Sequence, residues 1–185
     1  MKRSTCFSLL LIVISGLSGC RDQQVATPPN PFALTAEAVG HYCGMNLTEH
    51  AGPKGQIILA SQDWPVWFSS AREALSFTML AEEAKDIRAI YVSDMAKAKS
   101  WDQPGADNWV EARNAFFVIG SRKQGGMGAP ETIPFSTRPA AERFTAENGG
   151  SVVTFAQVPR DYVLGSGTQP DGSAQKLNSG EAGSK

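Results

Sequence analysis

The sequence lacks an excess of basic residues, because its 17 Lys and Arg are balanced by 18 Asp and Glu, giving a formal net charge of -1. Nucleic-acid-binding domains usually carry a basic patch, so we expect no nucleic-acid partner. The sequence also lacks a second long apolar run after the one near its start. A transmembrane helix needs about 20 apolar residues, so we expect none in the rest of the chain.

Histidine and cysteine are scarce as well. The chain has two histidines, His41 and His50, and three cysteines, Cys6, Cys20 and Cys43. So few cysteines exclude the disulfide framework that stabilises many small exported domains. The position of each cysteine is therefore informative, and the start of the chain determines what becomes of the first two.

The N-terminus has the features of an export signal. A short basic segment precedes an apolar run at residues 7–17, which has about the length of a signal-peptide core and is too short to span a bilayer. The run ends in Leu17-Ser18-Gly19-Cys20, which resembles the bacterial lipobox. That resemblance implies a lipoprotein signal peptide at residues 1–19 and lipidation of Cys20. The alternative is an ordinary secretory signal with a chance cysteine.

Lipidation would anchor the protein to a membrane, facing the periplasm. The residue after Cys20 is Arg21 rather than Asp, so retention in the inner membrane is not signalled and outer-membrane sorting is the default expectation. Cys6 is then removed with the signal peptide and Cys20 is blocked by lipid. Cys43 is left as a thiol without an intramolecular partner in an oxidising compartment. Such a thiol is either buried and inert or functional, and its position on a loop before the first strand favours a function.

Composition divides the rest of the chain into three parts. Residues 20–31 are polar and end in a proline-rich stretch, which predicts a flexible tether. Residues 32–164 contain the apolar and aromatic residues of a folded domain. Residues 165–185 are rich in Gly, Ser, Gln and Asp, which predicts a disordered tail.

An internal repeat divides the domain. Residues 68–77 align without a gap on residues 135–144, and each copy places Phe-Ser at the end of a strand and Ser or Thr before a helix. The pattern predicts helices at residues 70–83 and 138–147. It predicts strands at residues 56–60, 64–68, 87–92, 115–119, 131–135 and 151–155.

Each half, at about residues 32–95 and 110–158, is therefore a β-β-α-β unit, and the fold class is α+β. The two units can form separate sheets or one continuous mixed sheet, and the sequence leaves both open. The linker between them contains Trp101 and Trp109. For these tryptophans we favour packing at the junction over stacking on a ligand.

Soft metal ligands gather in the loop before the first strand. Cys43 and Met45 lie two residues apart, and in an extended segment their side chains point to the same side, so both sulfurs can bind one ion. His50 follows and is a further candidate ligand, whereas His41 is interpreted as a loop residue. Thiolate and thioether ligands select Cu(I) over hard cations, so the expected ion is Cu(I).

A fourth candidate ligand, Met127, lies among three glycines at the tip of a predicted hairpin loop in the second half. Core methionines usually lie on periodic apolar faces, as Met79 does, and Met95 follows a strand at the junction. Met127 has no such face, so its sulfur is available to a metal. The alternative is a flexible turn with an incidental methionine.

Together these residues resemble the NosL family of copper-binding lipoproteins. The resemblance covers residues 32–155 and is carried by Cys43-Gly44-Met45, His50 with Gly52-Pro53-Lys54, Trp109-Val110-Glu111-Ala112, Gly126-Met127-Gly128 and Pro134-Phe135. Glu111 stands where Asp is expected, and Gly126 precedes Met127 where Pro is common. Neither departure removes a sulfur.

The resemblance implies two β-β-α-β units similar to those of organomercurial lyase. It implies a periplasm-facing Cu(I) chaperone rather than an enzyme. Such a chaperone would supply copper for the copper–sulfide centre of nitrous oxide reductase in denitrification, together with an ABC-type membrane complex. By motif, Cys43 and Met45 match the family's C-x-M pair and Met127 matches its Gly-Met-Gly methionine.

The sequence leaves two alternatives to a copper carrier. A thiol enzyme of organomercurial-lyase type would need a second free cysteine and a positioned carboxylate, and fold analogy does not carry function. A structural lipoprotein that binds a partner through Trp101 and Trp109 would need neither Cys43 nor Met127. A Cys43→Ser variant distinguishes the carrier from the structural lipoprotein, because only a carrier would lose Cu(I) binding while staying folded.

Overall fold

A computed structural model describes residues 27–165 of the chain. The signal peptide, Cys20, the first part of the tether and the tail after residue 165 lie outside the described residues. The first unit consists of strands β1 (Gly55–Leu59) and β2 (Val66–Phe68), helix α1 (Ala71–Met79) and strands β3 (Ile87–Ser93) and β4 (Trp109–Glu111). Its strands form an antiparallel sheet in the order β2-β1-β3-β4.

The second unit repeats the pattern with strands β5 (Phe116–Ile119) and β6 (Ile133–Phe135), helix α2 (Arg138–Asn148) and strand β7 (Ser151–Thr154). Its sheet is antiparallel in the order β6-β5-β7. A short helix α3 (Arg160–Leu164) follows. The α+β class and the two β-β-α-β units are thus confirmed, and of the two arrangements that the sequence left open, the structure has separate sheets.

Three elements differ from the sequence prediction. Helix α1 ends at Met79 rather than at residue 83, and Leu80 is already extended. Strand β4 lies in the stretch predicted as a linker, where Val110 pairs with Val92 of β3. Helix α3 was not predicted at all. Distant parts of the chain contribute to each difference: β4 pairs with β3, Arg72 binds the Val163 carbonyl of α3, and Arg160 binds the Met79 carbonyl at the end of α1.

One core joins the two units. The largest apolar cluster packs α1 against the first sheet and also takes in residues of the second unit, namely Phe117 of β5 together with Val158 and Val163. A second cluster lies between α2 and the second sheet, and Met95 and Trp101 of the linker pack against it. Met79 packs against the main core, so Met79, Met95 and Trp101 all serve packing, as expected.

Hydrogen bonds also cross the junction between the units. The buried carboxylate of Asp94, just after β3, accepts a hydrogen bond from the Ser136 N–H at 2.8 Å. The N–H of Met95 donates to the Pro134 carbonyl at 2.9 Å. Within the described part of the chain, no helix is both long and apolar enough to cross a membrane.

The outer face of the first sheet is covered by the start of the described chain. The backbone of Phe32 forms two hydrogen bonds with the Gln56 side chain of β1, at 2.8 and 2.9 Å. The Tyr91 hydroxyl donates to the Pro29 carbonyl at 2.7 Å. The chain therefore engages the domain from Pro29 onward.

Candidate metal centre

The loop that carries the thiol, residues 40–50, is closed by its own backbone. The Gly40 N–H donates to the Met45 carbonyl and the Gly44 N–H donates to the Gly40 carbonyl, each at 2.9 Å. Gly44 has a φ of +66°, a conformation that side chains other than glycine rarely adopt. The segment is thus a tight turn, which corrects the expectation that Cys43 and Met45 lie in an extended segment with their side chains on the same side.

A short 3-10 helix (Leu47–Glu49) carries the chain from the turn to His50. It begins because the Asn46 side chain accepts a hydrogen bond from the Thr48 N–H at 2.9 Å, which caps the first turn. Leu47 is fully buried and fastens the helix to the core. His50, at the end of the helix, is 9% exposed.

The turn and the 3-10 helix bring the Cys43 thiol to 3.9 Å from Nε2 of His50. Ligand bonds of roughly 2.0 Å from nitrogen and 2.3 Å from sulfur, the lengths known for zinc in proteins, place two ligands about 3.5 to 4.3 Å apart. A metal ion with bonds of that order can therefore bridge Cys43 and His50 with little movement. The thiol also lies 4.0 Å from the Met45 carbonyl oxygen.

The backbone around His50 is fixed by hydrogen bonds from a buried lysine. Lys54 is 2% exposed, and its ammonium group donates to the His50 carbonyl at 2.6 Å and to the Gly52 carbonyl at 2.7 Å. Burial lowers the pKa of Lys54 to about 8, against the opposing attraction of Glu131 and Glu73. Lys54 thus fixes the segment from which the His50 ring reaches Cys43.

The two methionines of the candidate site lie at the surface. Met45 is 37% exposed and Met127 is 54% exposed, which is high for methionine. Met45 shares the turn with Cys43, and its backbone carbonyl oxygen lies 4.0 Å from the thiol. Both thioethers are therefore accessible from solvent.

Met127 lies between β5 and β6 at the tip of a turn, as predicted. The turn is closed by hydrogen bonds from Gly125 to Ala129 and from Gly128 to Gly125, each at 2.9 Å. Gly126 rests against the thiol loop, because a β-carbon at Gly126 would lie 2.7 Å from that of His50. The structure thus brings the methionine loop of the second unit onto the histidine of the first.

The Met127 side chain lines a cavity of about 180 Å³ beside the N-terminus of α1. Neither Cys43 nor His50 lines this cavity, so the structure brings Cys43 and His50 together and places Met127 at a neighbouring cavity. Within residues 27–165, no three side chains of His, Cys, Asp or Glu are grouped so that they could hold one metal ion.

A buried carboxyl group lies at the same cavity. One carboxylate oxygen of Glu131 accepts hydrogen bonds from the Arg72 and Thr132 N–H groups at 2.8 Å each. Burial raises the pKa of Glu131 to about 8, although those hydrogen bonds and Lys54 lower it. The Arg72 guanidinium donates to the Pro130 and Val163 carbonyls, so α1 is fastened to the second unit here.

His41 belongs to a different cluster. Its Nε2 lies 3.3 Å from the Glu83 carboxylate, and its ring packs against Tyr42, Phe68 and Phe77. The Tyr42 hydroxyl donates to the same carboxylate at 2.8 Å. Burial, reinforced by this hydrogen bond, raises the pKa of Tyr42. His41 is therefore engaged in packing and hydrogen bonding on the loop, as expected.

Sequence reasoning missed the roles of Lys54 and Glu131. Lys54 stood in the Gly52-Pro53-Lys54 motif, directly before the apolar run of β1, and that position was the available signal of burial. Glu131 lies between Pro130 and strand β6, and its sequence neighbours give less indication that its side chain is buried.

The fold and the site define an α+β protein of two β-β-α-β units that presents candidate soft metal ligands on two touching loops. The model of the NosL family matches residues 31–163, which is most of the chain. The chain belongs to the NosL family, which confirms the resemblance found in its motifs.

Individual members of the family are similar to this chain over most of its length. The chain is 43% identical over 165 residues to the copper-binding lipoprotein NosL of Achromobacter cycloclastes, covering 89% of this chain and 85% of the relative. It is 28% identical over 151 residues to the protein of the same name from Stutzerimonas stutzeri, covering 81% and 77%. It also matches the crystal structure of the copper chaperone NosL from Shewanella denitrificans with a TM-score of 0.68 and 31% identity, covering 72% of this chain and 98% of that one.

Proposed function

We propose that this protein binds Cu(I) through Cys43 and His50, with thioether ligation from Met45 and Met127, and carries it as a periplasm-facing lipoprotein. The observation that carries the proposal is the 3.9 Å separation between the Cys43 thiol and Nε2 of His50 on a surface loop. Met45 in the same turn and Met127 on the loop that touches His50 are exposed and offer the soft ligands that Cu(I) prefers. Relatives named copper-binding lipoprotein and copper chaperone support copper as the metal and a carrier role.

The geometry suits a carrier better than a permanent cofactor site. Cys43 is half-buried and both methionines are exposed, so an incoming ligand from an acceptor can reach the ion. The thiolate supplies most of the affinity, while the thioethers are weaker ligands that can be replaced one at a time. A site that must release its ion needs this kind of access.

A Cu(I) titration of the lipid-free domain against a competing chelator tests the binding site. The wild-type protein should bind one equivalent, and the Cys43→Ser variant should lose stoichiometric binding while its circular dichroism spectrum is unchanged. Replacing Met45 or Met127 with leucine should weaken binding, whereas replacing the core residue Met79 with leucine should not.

X-ray absorption tests the ligand set of the same samples. We expect two or three sulfur neighbours and at most one imidazole around Cu(I). A spectrum dominated by oxygen and nitrogen, or full Cu(I) binding by the Cys43→Ser variant, would overturn the proposed site.

For delivery, we propose that the ion goes to nitrous oxide reductase, for assembly of its copper–sulfide centre, with the help of an ABC-type membrane complex. This destination rests on membership of the family rather than on a surface of the molecule. Cells that lack the protein should make a reductase deficient in copper at that centre. Wild-type protein should restore the copper content and the Cys43→Ser variant should not.

For localisation, we propose a lipid anchor at Cys20, with outer-membrane sorting because Arg21 follows it. The relatives are named lipoproteins, which supports the anchor. Mass spectrometry of the mature N-terminus and fractionation of inner and outer membranes test the anchor and the sorting separately.

A further inference from the structure

Trp64 is exposed to an unusual degree. Its side chain is 75% exposed, the largest value among the large hydrophobic residues of the described chain. It lies in the turn that leads into β2, where the Gln62 side-chain amide donates to the Trp64 carbonyl at 2.7 Å. Tryptophan has a large apolar surface, so leaving most of it in water is costly unless something covers it.

The exposed indole lies beside the path of the N-terminal chain. The Trp64 ring centroid is 6.4 Å from that of Phe32. Phe32 itself is fixed to the first sheet through its two backbone hydrogen bonds with Gln56. Trp64 therefore marks the place where the segment coming from the N-terminus reaches the domain.

That segment is short. Cys20, the proposed site of lipidation, is 12 positions before Phe32. A chain of 12 residues spans at most about 43 Å when fully extended, so Phe32 stays within that distance of a lipid anchor at Cys20. The tethering raises the effective concentration of lipid around Trp64, so even a weak contact would be populated.

We propose that Trp64, with Phe32 beside it, docks into the headgroup region of the phospholipid bilayer that holds the lipid anchor. Tryptophan is enriched at membrane–water interfaces, where its apolar ring and its N–H are both accommodated. This inference rests on the lipid anchor of the proposed function and adds to it a defined orientation of the domain on the membrane.

The metal site lies beside the end of β2 opposite to Trp64. Trp64 lies before the start of β2, and Ser69 follows its end. Gly40 lies between Ser69 and the thiol, because a β-carbon at Gly40 would be 3.7 Å from that of Ser69 and 2.6 Å from the Cys43 sulfur. Five residues of extended chain separate Trp64 from Ser69, about 16 Å. Cys43 therefore lies near the end of β2 that is farther along the chain from Trp64.

The charges near Trp64 indicate the kind of lipid surface. Asp63 precedes it, and the Asp86 carboxylate accepts a hydrogen bond from the N–H of Ser61 at 2.7 Å. Two carboxylates in this region would be repelled by anionic lipid. The contact should therefore form on zwitterionic phosphatidylcholine or phosphatidylethanolamine and be insensitive to salt.

The test uses the full lipidated protein on phosphatidylcholine vesicles, with acyl chains brominated near the headgroup as a fluorescence quencher. Brominated lipid should quench wild-type tryptophan fluorescence, and most of that quenching should disappear in the Trp64→Phe variant. Acrylamide quenching of the Trp64 contribution should fall by about twofold or more on the vesicles. Raising the salt concentration should change neither result.

Trp109→Phe is the matched control, because the Trp109 ring packs against Trp67 and its N–H donates to the Ala106 carbonyl. This variant should keep the lipid quenching of the wild type. If vesicle-bound protein gives equal quenching with and without Trp64, the docking is wrong while the anchor stands. If the protein does not float with the vesicles at all, the anchor fails, and the docking fails with it.

Discussion

Glu131 is a carboxyl group that folding removes from water almost completely, at 1% exposure. Burial raises its pKa from 4.5 to about 8. Between those two pH values the folded protein holds a proton that the unfolded chain has lost, so the free energy of unfolding should fall as pH rises from about 4.5 to about 8. The decline can reach about 1.4 kcal/mol per pH unit for one proton.

A Glu131→Gln variant isolates this effect, because the glutamine oxygen can still accept the Arg72 and Thr132 N–H groups. Urea unfolding at several pH values should show the decline in the wild type and its absence in the variant. Glu142→Gln is the control, since Glu142 is an exposed residue of α2 that only pairs with Arg138 at 4.0 Å. Equal slopes for the wild type and Glu131→Gln would show that Glu131 is ionised throughout.

At the residue scale, the sequence revealed the groups whose chemistry is unusual and missed those whose environment is unusual. Cys43, His50 and Met127 could be found because thiols, imidazoles and isolated methionines are rare in this chain. The structure puts the first two within 3.9 Å and rests the loop of the third on His50. The buried charges of Lys54 and Glu131 were missed, because lysine and glutamate usually lie at the surface and only three-dimensional packing places these two inside.

At the scale of elements, the internal repeat offers a matched pair of helix caps. Ser70 of α1 and Thr137 of α2 occupy aligned positions, but only the Ser70 side chain accepts a hydrogen bond from its helix, from the Glu73 N–H at 3.0 Å. Ser70→Ala should therefore lower the free energy of unfolding by about 1 kcal/mol, and Thr137→Ala by a few tenths. Urea denaturation of both variants measures the difference. A loss as large for Thr137→Ala as for Ser70→Ala would mean that the alanine acts through something other than capping.

The ends of α1 and the presence of β4 show where element prediction reached its limit. Residues 81–84 are good helix formers without a stop signal, so local sequence favoured a longer α1. The helix instead ends where Lys85 binds the carbonyls of Thr78 and Leu80 and Arg160 donates to the Met79 carbonyl at 2.6 Å. Strand β4 has three residues and owes its existence to pairing with β3. The six predicted strands and helix α2 carried stronger local patterns, and those were found within a few residues.

At the scale of the whole molecule, the repeat predicted two similar units but not how they join. The joint depends on contacts between residues far apart in sequence, such as the Asp94–Ser136 hydrogen bond, which no periodicity reveals. It matters for the proposed function, because Cys43 and Met127 belong to different units. A substitution that weakens the contacts between the two units should therefore also weaken the contact between the loops that carry Cys43 and Met127.

Substitution of Asp94 tests these contacts between the units, because its carboxylate accepts the hydrogen bond from Ser136. Burial raises its pKa, but hydrogen bonds from Ser136, Lys97 and Ala96 outweigh that effect, so the pKa lies below the ordinary value of an aspartate. Ionised Asp94 therefore stabilises the fold at neutral pH, and this contribution is lost as pH falls through the lowered pKa. Asp94→Asn should lower the free energy of unfolding by about 2 kcal/mol at neutral pH, the range for hydrogen bonds to a charged group.

The difference between wild type and Asp94→Asn should shrink in acid, because the wild-type carboxyl is then neutral as well. Lys97→Met is the control, since the Lys97 side chain is 69% exposed and its ion pair with Asp94 should contribute little. Because the joint also holds the two loops together, Asp94→Asn should weaken Cu(I) binding in parallel with stability, while Lys97→Met should affect neither. Urea unfolding across pH and Cu(I) competition on the same samples would decide the matter. A destabilised Asp94→Asn protein with unchanged Cu(I) affinity would mean that the first unit holds the ion without help from the second.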